Sequence, residues 1–250
     1  MKCLAPLTLT LTLTLLVSGL GLNPTLAAEW SYSGLTGPEH WADLSPANAA
    51  CATGKQQSPI NITLSKSRPA RMPMLDFQYQ SGSAELVNNG HTVQVNVAAG
   101  NRLNVGDEPA ELLQFHFHAP SEERFDGKQY PLSAHLVHKT AAGRLLVVAV
   151  EFKEGAHNAA LQPLLAALPA AGKQQNLKDF NPALLMPSDS SYFRFTGSLT
   201  TPPCSENVSW QVVRQAVELS KAQIDAFRRL YPMNARPVQP LNGRVVEVSE

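Results

Sequence analysis

The chain has 250 residues, 44% of them hydrophobic, and its 20 basic and 20 acidic side chains cancel to a formal charge of zero. No basic stripe runs along it, which speaks against nucleic acid and against anionic membrane surfaces as partners. The length gives ample material for a core of one large domain or two small ones.

In chain order, Met1-Lys2 supplies a short positive end, and residues 3–28 carry no charge and are mostly Leu, Thr and small residues. Thr25-Leu26-Ala27-Ala28 offers small residues for cleavage, so residues 1–28 read as a secretory signal peptide. The run is also long enough to span a bilayer, but its threonines, Gly19, Gly21 and Pro24 suit a cleaved leader better. The mature chain, residues 29–250, then has 19 basic against 20 acidic side chains and no membrane span. Its expected location is periplasmic or secreted.

Residues 29–60 are rich in Pro, Gly, Ser and aromatics and read as an irregular arm. Glu85–Val87 and His91–Val97 alternate like strands around the turn Asn88-Asn89-Gly90. Leu112–Phe117, Ala134–Lys139 and Leu145–Phe152 are further strands. The last is almost wholly apolar and suits a central position covered on both faces. Asn158–Leu168 has apolar residues at helical spacing before Pro169. Ser220-Lys221-Ala222-Gln223 fits a capping box opening a helix through Tyr231, which Pro232 ends. The predicted fold is one β-dominated α+β domain, residues 29–250, around a large, twisted, mixed but mostly antiparallel central sheet with a few peripheral helices. Export implies an oxidising compartment, so Cys51 and Cys204 are expected to form a disulfide; two buried thiols are the alternative.

Four of the seven histidines fall between Leu112 and Lys139. On a strand, His116 and His118 point to one face together with Gln114, while Phe115 and Phe117 point to the other. His135, in a neighbouring strand, is the best third partner. Three imidazoles with a free fourth position make an open zinc site. His138 is three residues from His135, falls on the opposite strand face, and reads as a buried structural histidine.

Gly197-Ser198-Leu199-Thr200-Thr201-Pro202-Pro203-Cys204 turns this pattern into a resemblance. Together with Trp30–Gly34, Pro38–Trp41, Gln57–Ile62, Asn88–His91, Gln114–His118, Ser121-Glu122, His135–His138, Trp210 and Arg236–Pro240, it resembles the α-class carbonic anhydrases of the exported bacterial kind. The resemblance implies Zn2+ on neutral His116, His118 and His135, with Gln114 as hydrogen-bond partner of the first. It implies reversible hydration of carbon dioxide to bicarbonate and a proton by zinc-bound hydroxide. The water acidity this needs, about pKa 7, has carbonic anhydrase itself as its reference case. Thr200 and Glu122 would orient the hydroxide. Val137, Val147, Leu199, Thr201 and Trp210 would line the substrate site, and His91 would shuttle the proton. Sulfonamides and anions would inhibit, and the chain would act as a monomer or homodimer.

Two positions depart from the family pattern. Relatives usually carry a glutamate two residues before the third histidine, where this chain has Ser133; a bond through water and weaker zinc retention are the expectation. After Glu122 they commonly have a histidine, where this chain has Glu123. On a regular strand Glu123 would face away from Glu122. Two other readings stand beside this one. A cupin-like metal site would use His116, His118 and Glu122 for iron or manganese. A carbonic anhydrase-related binding module would have lost its activity, yet the ligand set is complete here.

Overall fold

The structure, a computed structural model, describes residues 29–250, so the leader read at 1–28 lies outside the described residues. Its centre is a twisted thirteen-stranded sheet. Ten strands form its main path: β1 (Arg68–Ala70), β2 (Gly82–Asn88), β3 (Val93–Val97), β4 (Glu108–His118), β5 (Leu132–Thr140), β6 (Leu145–Glu154), β7 (Gln174–Phe180), β8 (Tyr192–Ser198), β9 (Glu206–Val213) and β10 (Glu247–Ser249). Their spatial order is β7-β2-β3-β4-β5-β6-β9-β8-β10-β1. Most neighbours run antiparallel, while β6 with β9 and β10 with β1 run parallel. The molecule is one β-dominated domain with short helices at its periphery.

Side-chain alternation assigns the two faces of this sheet. On β6, Val148, Val150 and Phe152 join the larger apolar cluster, and Val147 and Ala149 join the second. The strand is thus covered on both sides, and Leu146 through Phe152 are all buried. The larger cluster also takes Phe115 and Phe117 of β4 and Ile224 and Phe227 of the helix Lys221–Arg228. The second is built from Val137, Val147, Ala149, Val208, Trp210 and Val212, with Ile60, Ile62, Phe193 and Phe195. Every imidazole expected at the metal lies on this second face.

A bulge in β4 brings them there. Leu112 pairs with His138 and Gln114 with Val137, so Leu113 is an extra residue without a partner. Before it, the even positions Ala110 and Leu112 are buried on the larger cluster's side; after it, the odd positions Phe115 and Phe117 are. One inserted residue therefore exchanges the faces of the strand. Leu113 itself is 46% exposed.

Local chemistry trims several predicted boundaries. β3 begins at Val93 because the Asn89 side chain accepts the backbone N–H groups of His91 (3.0 Å) and Thr92 (3.0 Å) and holds both in the turn. The first helix shrinks to Gln162–Ala166, since Asn158 spends its side chain on the Leu161 N–H, 3.1 Å, ahead of Pro163. The second opens as read: Ser220 accepts from the Gln223 N–H, and Gln223 accepts from the Ser220 N–H at 3.1 Å. It stops at Arg228, short of Tyr231. The polar edge strand β7, with Gln174, Gln175 and Asn176 exposed, has no apolar alternation to reveal it. The expected disulfide joins Cys51 to Cys204 across 153 residues of chain.

Candidate metal centre

His116 and His135 are cross-strand partners in the β4–β5 ladder, and His118 faces Ser133 two pairs further on. The three rings stand at centroid distances of 5.0, 5.6 and 4.6 Å, and one nitrogen of each lies within 4.8 Å of the others. Among the described residues this trio is the group of metal-capable side chains that converges. His138, on the other face, is buried and bonds Tyr79 Oη at 2.6 Å through Nε2.

The second nitrogen of each ring decides what the first can do. His116 Nδ1 meets Gln114 Oε1 at 2.9 Å, and His118 Nδ1 meets the Asn234 carbonyl at 2.8 Å. Both partners are acceptors, so each Nδ1 carries the proton and each Nε2 keeps its lone pair. His135 is held the other way round, with Nε2 against Glu123 Oε2 at 3.3 Å, which frees Nδ1. His118 Nε2 is buried without a hydrogen-bond partner. Three lone pairs on neutral imidazoles, one of them orphaned in the interior, fit a borderline-soft divalent cation such as zinc.

Electrostatics favour the neutral form for two of the three, His116 and His118, and act the other way on His135. Burial, aided by the charge of His135, lowers the His116 pKa to about 3 and drives His118 well below its ordinary value. Burial also acts to lower His135, but the hydrogen bond and charge of Glu123, then the charge of Glu122, outweigh it and raise the pKa.

Glu122 and Glu123 both turn inward, contrary to the strand alternation expected of them. The reason is that residues 119–123 belong to no strand. Glu122 Oε1 accepts the Arg236 backbone N–H at 2.7 Å, and Oε2 lies 3.5 Å from His118 Nε2. Burial pushes its pKa up to about 7 against the opposing pull of His135, of the Arg236 N–H and of the Thr200 hydroxyl, while Glu123 adds to the rise. A bound dication would act in the lowering sense. Thr200 is buried in the turn that follows β8.

The apolar residues sit together beside the trio. Val147 pairs with Val137 on one side and Trp210 on the other, and Ala149 pairs with His135. The Trp210 ring meets His135 edge-on at 4.9 Å and donates Nε1–H to the Ser198 carbonyl at 3.0 Å. Leu199 packs against this cluster, and Thr201 is half-buried, its carbonyl accepting the Cys204 N–H at 2.9 Å. His91 stands apart from the ligands, half-buried and stacked on Trp30 with ring centroids 3.7 Å apart. Burial lowers its pKa, and Glu29 acts in the raising sense.

The sequence reading gave no role to Asn234 and none individually to Arg236. Asn234 accepts from His118 through its backbone, accepts the Ala119 N–H through its side chain, and donates to the carbonyls of His91 and Phe117. Arg236 holds Glu122 through its N–H and ties down Gln57, Ser58 and Cys51 through its guanidinium. Both lie in an irregular segment without periodicity, about 115 residues downstream of the groups they fix. Only the arginine, next to Pro237, carried any sequence signal.

Comparison with known proteins agrees with this geometry. The profile of eukaryotic-type carbonic anhydrases matches residues 36–250. A protein named carbonic anhydrase from Pectobacterium atrosepticum is 46% identical over 223 residues, covering 88% of this chain and 91% of that one. The α-carbonic anhydrase of Thermovibrio ammonificans, solved in complex with the inhibitor sulfanilamide, superposes with a TM-score of 0.85 at 42% identity, over 89% of this chain and 99% of that chain. The α-carbonic anhydrase of Photobacterium profundum gives 0.83 at 48% identity, over 89% and 100%. Sequence and architecture agree along nearly all of residues 29–250, and the chain belongs to the eukaryotic-type, or α, carbonic anhydrase family.

Proposed function

We propose that residues 29–250 form an exported zinc enzyme that reversibly hydrates carbon dioxide to bicarbonate and a proton, released into the periplasm or the medium after removal of residues 1–28. The single observation behind this reading is the tautomer pattern. Gln114, Asn234 and Glu123 each engage one ring nitrogen and leave three lone pairs facing one another.

Zinc held by His116, His118 and His135 supplies a water acidic enough to lose its proton near neutral pH, an effect for which carbonic anhydrase is the reference case. The protein's own groups do the rest. Val137, Val147, Leu199 and Trp210 offer an apolar surface to an apolar substrate, with Thr201 at its edge. Glu122 has its Oε1 occupied by Arg236, so Oε2 is the acceptor available to the Thr200 hydroxyl. A threonine that donates to a carboxylate can only accept from the attacking oxygen, and this orients that oxygen's lone pair toward carbon. His91, with an unperturbed pKa near 6.5 moved downward here, passes the released proton to solvent.

Stopped-flow hydration of carbon dioxide, with metal analysis of the same sample, tests this. One zinc per chain, activity lost on chelation and inhibition by a sulfonamide are expected, the last because the Thermovibrio relative was solved with one. A folded, zinc-loaded protein without hydration activity would overturn the reading.

A further inference from the structure

The ring N–H of His135 is met by Glu123 from a neighbouring loop and by nothing on its own strand. Ser133 is two residues before His135, on the same face, and its Oγ is buried without a partner. Glu123 Oε2 stands 3.3 Å from His135 Nε2, and both side chains are buried. Its backbone is braced as well: Ser121 Oγ donates to the Glu123 carbonyl at 3.0 Å and accepts the Tyr130 N–H at 3.0 Å. Glu151 faces Ser133 across the β5–β6 ladder, also buried, with both carboxyl oxygens unpartnered.

We propose that Glu123 is the positioning residue of the third zinc ligand, accepting the His135 Nε2 proton and so aiming Nδ1 at the metal, in place of any contribution from Ser133. This rests on the zinc reading above. A ligating histidine that donates its other N–H to a carboxylate gains basicity and a fixed orientation, and loss of such a partner typically costs 10–100-fold in metal affinity or activity. The serine is therefore not a weak joint in this chain, because the carboxylate arrives from position 123. Substitution at 133 should matter only once Glu123 is gone. In the wild type, a new carboxylate there would join Glu123 and Glu151 in a buried space and gain no free imidazole N–H.

The test is zinc release from the loaded full-length protein to a chelator, with melting curves of loaded and zinc-free samples. Glu123→Ala should release zinc about 10–100-fold faster and lose part of the melting increment that zinc confers, with the zinc-free melt little changed. Ser133→Glu alone should not slow release. The double variant Glu123→Ala/Ser133→Glu should return release to within a few-fold of wild type. Wild-type release from folded Glu123→Ala, or no recovery in a folded double variant, overturns the positioning role. Where Glu123→Ala does not fold, Glu123→Leu, which keeps most of the volume and removes the acceptor, replaces it, and unchanged release from that variant is equally decisive. If the wild type holds no zinc at all, the zinc reading itself fails and takes this inference with it. One zinc with unaltered release sinks this inference alone.

Discussion

His138 and His135 share a strand and burial acts to lower both, yet only His135 has carboxylates beside it that reverse the shift. His138 has only the Tyr79 hydroxyl and neighbouring backbone near it, and burial lowers its pKa to about 4. An unfolded histidine takes up its proton near 6.5. Between these values the unfolded chain binds more protons, so stability is full above about pH 6.5 and falls as pH drops towards 4, by about 3 kcal/mol at the limit. Denaturant unfolding across that window should show a flatter profile for His138→Gln than for wild type. His91→Ala should slow turnover about 100-fold in dilute buffer and recover in concentrated imidazole; unchanged turnover would remove His91 from the proton path. The convergence of the three histidines was legible in the sequence because strand alternation is a strict code. Glu123 was not, since a loop carries no such code.

At the scale of elements, the sheet explains which strands could be read. β4, β5 and β6 lie at its middle, with apolar residues on one face or both, and their sequences show it. β7 is an exposed edge, and its sequence gives no sign. The helix Lys221–Arg228 depends on its cap, because eight residues are too few to hold a helix by propensity alone. Ser220→Ala removes one side of the capping box and should cost about 1 kcal/mol, read as a lower denaturation midpoint with little change in hydration rate. A loss of activity larger than the loss of stability would mean that the helix does more than support Phe117 through Phe227, whose rings lie 5.6 Å apart.

For the whole molecule, the long-range ties converge on one corner. The disulfide, the Gln57 amide on the Cys204 carbonyl and the mutual bonds of Ser58 and Ser198 join the N-terminal arm to the turn that carries Thr200, and the Arg236 guanidinium ties the same arm to the C-terminal segment. Gly197 permits this contact, as a Cβ there would come within 2.1 Å of Ser58 Oγ. The Cys51→Ser/Cys204→Ser variant should lose about 2–5 kcal/mol, measured as a drop in melting temperature, and wild type in reductant should match it. The cysteine pair was legible from composition and compartment. The corner it stabilises was not, because the side chains there bond backbone groups far away along the chain, whose direction no residue type records.

The unpaired Leu113 gives β4 a property that composition cannot supply. Its two halves answer to opposite parity, so spacing along this strand carries information independent of residue identity. Deleting Leu113 would leave every imidazole and phenylalanine in the chain and yet send His116 and His118 among the aromatic rings, with Phe115 and Phe117 on the face of His135. Substitutions in this stretch can be graded, while a change of length by one is all or nothing. The enzyme's ancestry should therefore show this strand varying in letters and never in count.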